Sequence, residues 1–128
     1  MSNRIDFLVE VQQVMRLNDK VVGEVSREYG INKTELEILI FLASNPDLDT
    51  AREIVEYRVM TKSCVSKAVD SLVRQGYLIT REDEADRRII HLVIEERAGE
   101  VIELGLRAQR KMIAQIFKGI SDEQLEII

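Results

Sequence analysis

The chain has one proline, six glycines, one cysteine, one histidine and no tryptophan among its 128 residues. So little Pro and Gly excludes a turn-rich all-β fold and suits long helices. A single cysteine cannot form an internal disulfide, as expected of a protein of the reducing cytoplasm. One Cys and one His are also too few soft ligands for an ordinary structural zinc site, and no metal or other cofactor is expected. No stretch approaches the ~20 apolar residues that a membrane span needs, so no membrane partner is expected. The opening segment, MSNRIDFLVEVQQVMRLNDK, lacks both an apolar block and a small-residue cleavage site and does not read as a signal peptide.

What is there is one domain's worth of chain. Apolar residues make up 45%, enough to build a core. The net charge of −5 does not by itself announce a nucleic-acid binder. Its distribution is more informative. Between Arg58 and His91 lie seven basic side chains and five acidic ones, a local net of +2. The basic members are Arg58, Lys62, Lys67, Arg74, Arg81, Arg87 and Arg88. The polarity suits DNA and the contrast is modest.

Hydrophobic periodicity predicts a long helix from about Arg4 to Tyr29, ended by Gly30 as a left-handed cap. A second helix is predicted from Thr34, with Thr34 and Glu37 as a capping box, to about Asn45-Pro46. Thr50 with Glu53 opens a short third helix. Thr61 caps a fourth, which runs to about Gln75 with Gly76 just beyond. The period then changes. Tyr77 to Arg81 and Ile89 to Ile94 read as two strands around the charged tip Glu82-Asp83-Glu84-Ala85-Asp86, a β-hairpin. A long helix is predicted from about Glu96 to Lys118, and Ser121 with Gln124 starts a last one. The fold class is therefore mainly α with a small β-hairpin wing: a winged helix-turn-helix between long terminal helices.

At 100° per residue, the fourth helix gathers Val65, Ala68, Val69, Leu72 and Val73 on one side. Ser63, Lys67, Asp70 and Arg74 point the other way, flanked by Cys64 and Ser66. Short hydroxyls let a helix sink into the major groove, and cations meet phosphates or guanine edges. The free N–H groups at its start, near Lys62, also favour phosphate. An ordinary solvated helix face looks much the same, and Asp70 counts against DNA unless it pairs with Arg74. In the hairpin, Arg81, Arg87 and Arg88 bracket the tip, and an Arg there can enter the narrow minor groove. Asp86 can tie one arginine of the pair and aim the other. Glu82, Asp83 and Glu84 would repel phosphate if all faced it.

These residues resemble the MarR family of regulators. The similarity covers roughly Gly30 to Ala98 in four blocks: Asn32-Lys33-Thr34-Glu35-Leu36-Glu37-Ile38-Leu39, Lys62 through Leu72, Gln75 through Arg81, and the wing signature Asp83-Glu84-Ala85-Asp86-Arg87-Arg88. The resemblance implies one domain over residues 1–128, with dimerisation helices at 1–30 and 96–128 around a DNA-binding winged helix-turn-helix at 31–95. It implies a cytoplasmic homodimer that binds a pseudo-palindrome in double-stranded DNA, a repressor or an activator, read here as a repressor. The helix Lys62–Gln75 would enter the major groove, and Arg87 or Arg88 the minor groove. The expected DNA-binding residues are Lys62, Ser63, Ser66, Lys67, Arg74, Arg81, Arg87 and Arg88. The family commonly responds to small amphipathic effectors near the junction of dimer helices and reading head. Met15, Tyr29 and Phe41 are possible lining residues there, or plain core. Two positions depart from the family pattern: Glu95 and Ala98 stand where a capping Thr and a Gly are usual. The last helix is also short, which fits a trimmed chain or a smaller dimer arm.

The terminal helices support a dimer independently. Apolar residues of the long C-terminal helix, among them Val101, Leu104, Ala108, Met112, Ile113 and Phe117, spread over about 220° at 100° per residue. A helix with one face to bury needs a stripe of only ~100° or a little more. Leu8, Val11, Val14, Met15, Val21, Val22 and Val25 cover about half of the first helix. A partner subunit would bury both surfaces.

Two other classes compete. No nucleophile elbow, phosphate loop or metal spacing points to an enzyme, and Cys64 and His91 fall in different elements. A winged-helix protein-interaction module that binds no DNA is the alternative favoured by the negative charge and acidic wing tip. Cys64, near a helix start with Lys62 and Lys67, also raises a redox-sensing reading beside that of a packed small residue.

Overall fold

A computed structural model describes the backbone of residues 2–127 and the side chains of residues 4–119. Its elements follow in chain order: α1 (Ser2–Tyr29), α2 (Lys33–Ser44), α3 (Ala51–Arg58), α4 (Lys62–Arg74), β1 (Leu78–Glu82), β2 (Ile90–Ile94) and α5 (Gly99–Ile127).

The punctuation between these elements is chemical. Gly30 (φ 71°) and Gly76 (φ 82°) end α1 and α4 in the left-handed region, which glycine enters without Cβ strain. Both ends close as Schellman motifs. Ile31 N–H donates to the Ser26 carbonyl and Tyr77 N–H to the Leu72 carbonyl, each at 2.9 Å. Thr50 and Thr61 cap α3 and α4 as expected, accepting from Glu53 N–H and Cys64 N–H.

Three expectations are corrected. Helix α2 is capped by Asn32 rather than Thr34. Asn32 Oδ1 accepts from Glu35 N–H at 2.8 Å, and Glu35 Oε1 accepts from Asn32 N–H at 3.1 Å. Asn caps at least as well as Thr, and this frame turns Glu35 inward. Tyr77 lies in the α4 cap rather than in β1; its ring is buried and its hydroxyl donates to the Tyr29 carbonyl at 2.8 Å. Helix α5 runs through Ser121 without a break, so no separate last helix forms. The α5 start is irregular, as the unusual Glu95 suggested. A 3-10 turn, Glu96–Ala98, leads into it, and Glu95 makes no side-chain cap bond.

β1 and β2 pair antiparallel, with Leu78 opposite Ile94 and Glu82 opposite Ile90. Leu78 and Leu92 turn inward from the hairpin. They join Leu36, Leu39, Ile54, Val65, Leu72 and Val101 in one core under α2, α3, α4 and the start of α5. Helix α5 thus roots in the winged helix-turn-helix before it meets α1, where Gly119 lies against the Phe7 ring. Along this helix pair Ile5, Leu8, Met15, Leu17, Val21, Ile113 and Phe117 stay between 41% and 63% exposed. No helix among the described residues is long and apolar enough to cross a membrane.

Candidate nucleic-acid interface

Helix α4 divides as its periodicity predicts. Val65, Ala68, Val69 and Leu72 are buried, while Lys62, Ser63, Cys64, Ser66, Lys67, Asp70 and Arg74 are exposed. Val73 departs from the expectation: it is 36% exposed, at the rim instead of in the core. The Asp70–Arg74 ion pair that would offset Asp70 is not among the ion pairs of the described residues, so Asp70 still counts against DNA. Arg74 Nε donates to the main-chain carbonyl of Asp70 at 3.4 Å, so the Asp70 carboxylate gets no charge compensation from it.

The hairpin stands beside this helix. Lys67, Asp70, Val73 and Arg74 of α4 line a groove whose other wall carries Thr80 of β1. Arg81, the next residue on the strand, is also exposed and lies on the opposite face of the hairpin. The exposed face of α4 thus continues onto the Thr80 face of β1, which brings together residues separated in sequence.

The wing tip is organised by its acids. Asp83 Oδ2 accepts from both Ala85 N–H and Asp86 N–H at 3.0 Å, an Asx-type turn. Asp86 takes Arg88 with both oxygens, from Nε and Nη2 at 3.1 Å each, and also accepts from Arg88 N–H. This fork holds the Asp86 carboxyl below the usual range and pushes the Arg88 guanidinium up. Arg88 is nonetheless 90% exposed, so the bond orients it without covering it. Arg87 is exposed and makes no ion pair among the described residues. Asp83 is spent on the turn and on His91, which leaves Glu82 and Glu84 as the exposed acids of the tip.

Two constellations escaped the sequence. His91 sits between two carboxylates, with Nδ1 2.8 Å from Asp49 Oδ1 and Nε2 2.8 Å from Asp83 Oδ1. Glu35, 5% exposed, accepts at Oε2 from Ser71 Oγ and from Gln75 Nε2. Both join residues far apart in sequence, and no local spacing announces them.

Residues 29–89 match the profile of the MarR family. Through these residues the chain is similar to the MarR family. Proteins of this family are transcription regulators, not enzymes. Among similar proteins, the HTH-type transcriptional regulator YkoM of Bacillus subtilis is 27% identical over 104 residues, which is 80% of this chain and 67% of YkoM. The transcriptional regulator Tm0710 of Thermotoga maritima is 25% identical, with a TM-score of 0.68 over 95% of this chain and 88% of that one. MepR of S. aureus, solved in complex with DNA, shares the fold at 16% identity, with a TM-score of 0.68 over 90% of this chain and 86% of that one. The matched segment contains α4, β1 and the wing tip through Arg88, and β2 follows just beyond it.

A second concavity lies where α1, α2 and α5 meet. This cleft of about 290 Å³ is lined by Asn18, Val22, Phe41, Arg58, Gly105 and Met112 among others. Asn18 Oδ1 is buried there with no hydrogen-bond partner among the described residues. Of the three residues considered for a pocket, only Phe41 lines this cleft. Tyr29 packs against the core and Met15 is 51% exposed.

Proposed function

We propose that this chain is a homodimeric repressor that binds a pseudo-palindromic operator in duplex DNA in the cytoplasm. The observation that carries this reading is the continuous surface of α4 and the wing. It has small hydroxyls and cations on the helix and a pre-aimed arginine at the tip. Lys62, Ser63, Ser66, Lys67 and Arg74 would meet the major groove and its flanking phosphates, with the first turn of α4 offering N–H groups to a phosphate. Arg81 would contact the backbone beside the wing. Arg88 is the better minor-groove candidate of the pair, because Asp86 has already removed much of its conformational freedom. Arg87 then reaches a phosphate.

The homodimer reading is supported by the exposed apolar residues of α1 and α5, which a second copy would cover. In the single domain proposed for residues 1–128, residues 1–30 and 96–128 form the dimer arm and residues 31–95 the reading head. The cleft beneath α2 is the proposed effector site. It suits a small molecule with an apolar body and a group able to donate to Asn18 Oδ1. An effector bound there would change the spacing of the two reading heads.

The test is a salt titration of binding to duplex DNA. Affinity falling steeply with salt, with a log–log slope of several units, supports the proposal. No binding at any salt concentration would favour a winged-helix protein-interaction module.

A further inference from the structure

We propose that His91 is a positioning residue for DNA binding, a cationic strut that fixes the wing to the body of the reading head and makes its placement depend on pH. The DNA-binding consequence rests on the function proposed above; the strut itself does not.

The argument begins with donors and acceptors. A neutral imidazole has one N–H donor and one bare nitrogen, whereas an imidazolium has two donors. His91 has a carboxylate oxygen 2.8 Å from each ring nitrogen. Only the cation donates to both; in either neutral tautomer one bare nitrogen would face a carboxylate oxygen.

The two carboxylates belong to different parts of the molecule. Asp49 lies in the loop before α3, and its main-chain carbonyl also accepts from Leu92 N–H at 2.7 Å. Asp83 opens the wing turn and orders it through Ala85 and Asp86 N–H. Asp86 in turn orients Arg88. A chain of contacts therefore runs from the loop before α3, through the imidazolium, to the arginine proposed for the minor groove. Among the described residues the wing has no third strand to hold it, since its sheet consists of β1 and β2. An isolated two-stranded hairpin is marginally stable, which leaves its tip dependent on such ties.

Three charged groups face the ring. Asp83 and Asp49 favour the cation, while Arg81, its cross-strand partner on β1, opposes it. The hydrogen bonds to Asp83 and then Asp49 outweigh burial, and the His91 pKa is raised. The strut is therefore intact below this raised pKa and is released as pH rises through it. A neutral ring can donate to Asp49 or to Asp83 but not to both, so release breaks the tie between loop and wing and frees the wing tip to move.

The chain contains a single histidine, so its imidazole signals can be followed by NMR without ambiguity. The account predicts that this ring titrates above the ordinary value of about 6.5. The backbone amide signals of Ala85 and Asp86 should follow the same midpoint, and Asp83→Asn should lower it. A midpoint at or below the ordinary value, or wing amides that ignore it, would overturn the strut.

The second arm measures affinity for a duplex carrying the selected operator between pH 6 and 9. Wild-type affinity should fall toward the one-proton limit of about tenfold per pH unit above the midpoint. His91→Gln should lack that slope, which a purely structural role would not predict. Parallel profiles for the two proteins would overturn the positioning role even where the NMR coupling is present. Absence of all DNA binding, with the NMR coupling intact, would overturn the proposed function and its pH consequence but keep the strut.

Discussion

Ser71 Oγ donates to Glu35 Oε2 at 2.7 Å, which ties the exposed α4 helix to the start of α2. The same carboxyl group accepts from Gln75 Nε2 at 3.3 Å and, through its other oxygen, from Asn32 N–H. One side chain thus serves the cap of α2 and the C-terminal turn of α4. Glu35→Ala would remove an acceptor from all three donors, of which Gln75 Nε2 keeps Ser71 Oγ at 3.0 Å, so a stability loss of about 1–2 kcal/mol is expected from partly buried groups. Glu37→Ala should cost under ~0.5 kcal/mol, as is usual for surface changes, since Glu37 makes only a 3.9 Å contact with Arg58. Urea denaturation of both variants checks this. Equal losses would return the cap to the Thr34–Glu37 frame.

Val59 ends α3 at φ 53°, a conformation that costs a β-branched residue dearly. Its side chain is 91% exposed, so little packing is at stake. Val59→Gly should relieve about 1–2 kcal/mol of backbone strain and return some of it as unfolded-state entropy. A net gain of up to ~1 kcal/mol is expected. A lower melting temperature would show that the turn before α4 is not strained.

Stability should depend on pH at both edges of the wing cluster. His91 has a raised pKa, so its contribution is full below its unfolded value and disappears as pH rises through the folded one. Asp83 and Asp86 have lowered values, Asp83 chiefly through His91 and Asp86 chiefly through Arg88. Their contribution is present above the unfolded carboxylate range and is lost as pH falls through the folded values. His91→Gln should flatten the alkaline side of the stability profile and weaken the acid side. Chemical denaturation at a series of pH values reads both edges, and an unchanged profile would contradict the cluster.

How much of this could be read in the sequence depends on how local the signal is. The caps at Thr50 and Thr61 and the stops at Gly30 and Gly76 are local chemistry, and all four were legible. So was the inward face of α4, apart from Val73 at its rim. The Asn32 cap is not legible because two overlapping box patterns compete, and burial of Glu35 decides between them. The Ser121–Gln124 pattern misleads because a capping pattern inside a helical run need not stop it. His91 lies 42 residues from Asp49, and Ser71 lies 36 from Glu35. Such contacts arise only when α2, α4 and the hairpin have already packed, so no spacing rule reveals them.

For the proposed DNA contacts, Lys67→Ala and Arg88→Ala should separate phosphate neutralisation from base reading. If Lys67 meets a phosphate, its loss weakens every duplex alike and lowers the salt slope by about one unit. If Arg88 reads the minor groove, its loss should cost about 1–3 kcal/mol on the preferred duplex and less on others. Fluorescence anisotropy over a salt series measures both. Wild-type affinity in both variants would remove these two residues from the proposed interface.

The most direct measurement of the central claim is selection of bound duplexes from a random pool by the purified protein. The account predicts an enriched sequence with two inverted half-sites whose centres lie about one helical turn apart, ~34 Å, set by a two-fold dimer. A pool that stays random after repeated selection, or that converges on a single unrepeated element, would contradict it.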